Sequence, residues 1–172
     1  MPLTLAALRR SLHEMDAAEL RSVIETLFQA STANKNLLAA LLDNDTSELR
    51  AKAEAEIGRA FSLGRRRPTL KTSGARAAIA AYAKVAAPLE VLTLQLQFVR
   101  AGLDCWNVSG GPDTLLDSLA SMWNSALKQA GGLPPETRPW AQLEAVNALL
   151  REYGMGGLAA LDAGLDEDGS GS

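Results

Sequence analysis

A chain of 172 residues, 47% hydrophobic and 22% charged, has the composition of an ordinary folded protein, and at this length roughly 70% of the unfolded surface is buried on folding, so neither a disulfide nor a metal is needed to hold a core. A single cysteine, Cys105, and a single histidine, His13, exclude an internal disulfide and an ordinary zinc site built from one chain. The net charge of −3 hides a split: residues 50–84 hold nine Lys/Arg against Glu54 and Glu56, a formal +7, whereas residues 101–172 hold three against ten Asp/Glu, a formal −7.

Hydrophobic spacings of three and four recur along nearly the whole chain and predict an all-α protein of about eight helices without a sheet, arranged as a bundle or a short irregular solenoid of helical hairpins. A first helix covers Leu3 to Leu12. Arg9 and Arg10 are followed by Glu14, Asp16 and Glu19 rather than by an apolar run, so this stretch does not read as a secretory signal, and with the lone thiol it sets the expectation of a cytoplasmic protein. A second helix starts at Asp16, with Glu19 placed to complete a capping box, and carries one apolar stripe of Leu20, Val23, Ile24, Leu27 and Phe28. A third, from Thr32 to Leu42, is striped by Leu37, Leu38, Leu41 and Leu42, and a fourth, capped by Thr46, runs through Phe61 with Leu49, Ala53 and Ile57 inward. Gly64 and Pro68 then mark an extended connector over residues 62–72.

Ser73 is expected to cap a fifth helix with Ala75, Ala78, Ile79 and Tyr82 inward. Residues 88–103 fit two patterns. Leu92, Leu94, Leu96 and Phe98 alternate with polar residues as in a strand, while Leu89, Leu92, Leu96, Val99 and Leu103 fit a helix. The helical stripe runs longer and a lone strand would leave its backbone groups unpaired, so a central helix with Pro88 in its first turn is expected. This window is broken by Glu90, Thr93, Gln95 and Gln97 and falls short of the roughly 20 apolar residues of a membrane span. A seventh helix follows the loop Gly110-Gly111-Pro112-Asp113, and Pro134, Pro135 and Pro139 mark a linker to the last one, from Arg138 to Tyr153. The expected organisation is a helical domain over residues 1–131, a Pro-rich linker with C-terminal helices packing on it over 132–165, and a disordered acidic Gly/Ser tail over 166–172.

Asn34, Lys35, Leu37 and Leu38, then Ile57 and Phe61, Ala75-Arg76 with Ile79 and Tyr82, Phe98-Val99 with Gly102, and Ser118, Met122 and Leu127 form a pattern that resembles an uncharacterised bacterial all-helical family, a numbered domain of unknown function, over roughly residues 5–130. The resemblance implies helical architecture and supplies no functional residue.

The sharpest candidate site is the stretch from Arg65 to Arg76. Arg65, Arg66, Arg67, Lys71, Ser73 and Arg76 combine a basic strip with the start of a helix, where free backbone N–H groups and the dipole favour an anion. Arg is suited to bidentate contacts with phosphate or carboxylate. Such a strip could meet an acidic protein partner, a nucleic-acid backbone or an anionic substrate, or remain a solvated loop. No aromatics are interleaved for base stacking, so any nucleic-acid binding would be independent of sequence. The acidic tail, Asp162 and Asp166 to Asp168, could lie on the strip and compete with its ligand. Trp106 and Trp140, near loops, either pack under those loops or anchor an interface.

Neither Gly64 to Gly74 nor Gly110-Gly111 has the spacing of a phosphate-binding loop, and no carboxylate pair or nucleophile constellation points to catalysis or to a cofactor. The leading expectation is a non-catalytic, cytosolic interaction protein that presents the basic strip, with Trp106 or Trp140 as a further anchor, to an acidic protein partner. Nucleic-acid binding comes second, and an enzyme acting on an anionic substrate third.

Overall fold

Side-chain acceptors and a proline fix where several of the helices begin. Thr4 Oγ1 accepts from Ala7 N at 3.2 Å and opens α1 (Leu5–Glu14). Asp16 Oδ1 accepts from Ala18 N at 2.8 Å and Glu19 N at 2.9 Å while Glu19 Oε2 takes the Asp16 N–H, the expected reciprocal cap of α2 (Ala17–Ala30). Ser31 both ends α2 and caps α3 (Thr32–Asp43) through its hydroxyl and Asn34 N. Asn44 then adopts a left-handed conformation, φ +55°, of the kind that closes a helix. The remaining helices are α4 (Ser47–Phe61), α5 (Ser73–Tyr82), α6 (Pro88–Ser109), α7 (Asp113–Gly131) and α8 (Trp140–Glu152), with a short 3-10 turn at Pro135–Thr137 inside the Pro-rich linker.

The computed structural model describes residues 3–63 and 68–155, and among these the protein is all helical, with no strand. The acidic tail lies outside the described residues. The chain divides into two compact units, Met1–Thr46 and Ser47–Ser172.

In the second unit α6 is the central element, packing on α4, α5, α7 and α8. Its buried residues, among them Val91, Leu92, Leu94, Phe98, Val99 and Leu103, cover more than one face. This explains why the segment alternates like a strand: with the stripe of Thr93, Gln97, Arg100 and Asp104 left polar, the broad apolar face shows apolar residues at spacings of two as well as three and four. Phe98 meets Phe61 of α4 edge-on, ring centres 5.0 Å apart and planes at 78°. Trp123 and Leu119 of α7 and Leu143 and Leu150 of α8 complete the core.

Two details differ from the sequence reading. Thr72, not Ser73, occupies the cap position of α5 and offers no side-chain cap: its backbone is already helical, φ −86° and ψ −12°, and its Oγ1 instead accepts from Ser118 Oγ of α7 at 2.9 Å. The last helix starts at Trp140, two residues after Arg138, because a residue before proline is pushed out of the helical region: Arg138 is extended, φ −67° and ψ 136°, and its side chain turns back on the linker.

Tyr82 is fully buried and its hydroxyl has no hydrogen-bond partner among the described residues. An unsatisfied buried hydroxyl carries a desolvation cost of about 1–3 kcal/mol. Tyr82→Phe is therefore expected to leave stability unchanged or raise it by about 1 kcal/mol in urea unfolding, and a loss of that size would show that the hydroxyl is bonded after all.

Candidate interaction surfaces

Of the basic strip, Arg65, Arg66 and Arg67 lie outside the described residues. After Pro68 the backbone turns back along the end of α4: Leu70 N donates to Ala60 O at 3.1 Å and Thr69 Oγ1 to Arg59 O at 3.3 Å. Leu70 takes a positive φ, 56°, in that turn. Lys71, Ser73 and Arg76 are all exposed. Arg76, which the sequence leaves without a partner in a first turn, donates through Nη2 to Ser121 Oγ of α7 at 3.2 Å.

The start of α5 already faces an acid. A Cβ added to Gly74 would come within 2.6 Å of Glu56 Oε2, so the Glu56 carboxylate sits against the first turn of α5, where the dipole favours negative charge. Glu56 also pairs with Arg59. An external anion at this helix start would have to displace a carboxylate that the fold supplies itself.

The two tryptophans are tied to their own loops. Trp106 is half-buried, and a Cβ on Gly111 would lie 3.1 Å from its Cε3, which places the ring against the loop between α6 and α7. Trp140 donates from Nε1 to Pro135 O at 3.0 Å, and the Arg138 guanidinium stands over its ring at 5.6 Å. Arg138 in turn donates to Leu133 O and Gly131 O, closing the end of α7. Trp140 keeps 38% of its surface exposed.

Cys105 is fully buried, and burial pushes its thiol up, opposed by a hydrogen bond involving Ser109, so it is held away from the reactive thiolate. Among the described residues no three His, Cys, Asp or Glu gather as metal ligands, and no helix is long and apolar enough to cross a membrane.

The first unit presents a different surface. Of the described residues, twelve large hydrophobics are exposed, and eight of them, Leu3, Leu5, Leu8, Ile24, Leu27, Phe28, Leu41 and Leu42, fall in this unit. That concentration cannot be the random scatter of a normal surface, since Ala40 is the one buried residue described there. α2 and α3 pack on each other, joined at Ser31 and fixed by Asn34 Nδ2, which donates to Leu27 O at 2.8 Å. Between them runs a groove of about 260 Å³. Its apolar lining is Ile24, Phe28, Leu38, Ala39 and Leu42, and its polar lining is Glu25, Gln29 and Asp43. Lys35 Nζ lies 5.4 Å from the centre of the Phe28 ring. Glu25 and Asp43 are exposed and have no ion-pair partner among the described residues.

The stripes on α2 and α3 are visible in the sequence as apolar faces. Nothing in the spacing of one helix says whether its apolar face will be covered. No family model, curated protein or solved structure matches the chain.

Proposed function

We propose that the chain is a non-catalytic protein-interaction module whose groove between α2 and α3 receives an amphipathic helix, leucine-type side chains inward and cationic side chains beside them. The observation that carries this reading is the gathering of exposed large apolar residues in the first unit around a groove with unpaired carboxylates at its edge. Helix-in-groove recognition uses this combination, with anchors at spacings of three and four filling an apolar slot and charge at the rim setting orientation. The basic strip is the weaker candidate for partner or nucleic-acid binding, because Glu56 holds the start of α5 and Arg76 is engaged with Ser121.

The test is fluorescence anisotropy of a labelled Leu/Lys helical peptide against the full chain. Saturable binding is expected, weakened roughly tenfold or more by Phe28→Asp, since a buried Phe is worth about 1.5–3 kcal/mol. A Leu/Glu peptide with the same leucine spacing should bind worse. Equal binding to wild type and to Phe28→Asp would sink the reading, provided that far-UV circular dichroism shows both to be equally helical.

A further inference from the structure

Within that reading, on which it rests, we infer that the helix received in the groove is α1 of a second copy of this chain, so that two copies exchange their first helices in a two-fold dimer.

The chemistry of α1 is the chemistry that the groove asks for. Leu5, Leu8 and Leu12 follow at spacings of three and four and form one stripe, and none of the ten residues of α1 is buried. Arg9 lies beside that stripe, roughly 70° around the helix at 3.6 residues per turn, and pairs with no carboxylate among the described residues. Arg10 adds positive charge on the far side. The groove offers a mostly apolar slot of about 260 Å³, lined by Ile24, Phe28, Leu38, Ala39 and Leu42. Glu25 and Asp43 stand ready for Arg9. Each chain thus carries both halves of one contact, unmade.

The connection explains why the two halves are not joined within one copy. α1 packs substantially on no other helix. Only Met15 and Asp16 separate it from α2, which is the lower limit for a helical hairpin. Both are extended, Met15 at φ −77° and ψ 141° and Asp16 at φ −78° and ψ 174°, and Asp16 is pinned by its reciprocal cap with Glu19. Two successive extended residues carry α1 away from α2 rather than back along it. A short, constrained hinge of this kind favours exchange between copies over closure within one. Exchange also adds burial: Ala40 is the one residue of this unit described as buried, and association covers the apolar stripes that α1, α2 and α3 leave exposed.

Sedimentation equilibrium of the full chain over a micromolar concentration series tests the inference, with far-UV circular dichroism confirming that each variant is helical. Wild type is expected to dimerise. Leu5→Asp/Leu8→Asp and Phe28→Asp/Leu42→Asp should each be monomeric, whereas an equal mixture of the two should associate weakly, because one intact α1 then meets one intact groove. Arg9→Glu, a surface change that leaves folding alone, should weaken the dimer roughly tenfold because the two-fold contains the pair twice, and adding Glu25→Arg should restore it. A wild type that stays monomeric, or a dimer that persists in both double variants, overturns the inference. If wild type is monomeric yet binds the Leu/Lys peptide in a Phe28-dependent way, the groove stands and only the second copy falls. If neither peptide binding nor dimerisation occurs, both readings fall together.

Discussion

Phe98→Ala is expected to lower the unfolding free energy of the second unit by about 3–5 kcal/mol, the range for emptying a fully buried aromatic site. Phe98 has no exposed surface and stands on α6, the one helix that packs on four others. Collapse into the cavity would require α6 to move against helices that hold it on several sides, which places the cost toward the upper end. Part of the loss is specific to the ring. The edge-on contact with Phe61 contributes about 0.5–1.5 kcal/mol beyond burial, so Phe98→Leu should cost distinctly less, and the effects of Phe98→Leu and Phe61→Leu should fall short of additive. Against a typical total of about 5–15 kcal/mol, the alanine variant should unfold at far lower urea with an unchanged denaturant slope. A loss below about 1 kcal/mol would show that α6 is not the centre of the core.

How far the sequence disclosed this protein depends on whether the information was local. The reciprocal cap at Asp16 and Glu19 needs only residues three apart and was fully legible. The helix over residues 88–109 was legible once the strand alternative was weighed, since only a helix satisfies its own backbone groups without a neighbour. The cap of α5 was not: Thr72 and Ser73 are equally plausible by local rules, and the choice is tied to Ser118, on a different helix. The same holds for the basic strip. Its charge was obvious, but the carboxylate that occupies the start of α5 comes from Glu56 on α4, and no spacing between positions 56 and 74 announces it.

The first unit marks the sharper limit. Ile24, Leu27, Phe28, Leu41 and Leu42 were legible as apolar stripes. All five are exposed, and no property of α2 or α3 taken alone announces it. Amphipathic periodicity identifies a face that must be covered and is silent on whether the cover lies in the same chain or in another.

Gly102→Ala gives a result whose sign depends on a single neighbour. Alanine is a better helix former than glycine by about 1 kcal/mol, so on propensity alone the change in the middle of α6 should stabilise. The packing says otherwise. A Cβ at position 102 would lie 2.2 Å from Leu119 Cδ2 and 3.2 Å from its Cδ1, and Leu119, 1% exposed on α7, is enclosed with nowhere to retreat. Glycine is what lets α6 and α7 approach this closely. Overpacking of this kind costs about 1–3 kcal/mol, which outweighs the gain in propensity and makes Gly102→Ala destabilising by up to about 2 kcal/mol, with Gly102→Val worse because it adds bulk and a β-branch. Leu119→Ala by itself should cost about 2–5 kcal/mol through the cavity it leaves. In that background the clash is gone, the new methyl enters the space vacated by the leucine, and helix propensity acts unopposed, so Gly102→Ala should now stabilise. Urea unfolding of the four proteins in this cycle reads the reversal directly. If Gly102→Ala destabilises to the same extent with and without Leu119, the glycine is required by something other than the contact between α6 and α7.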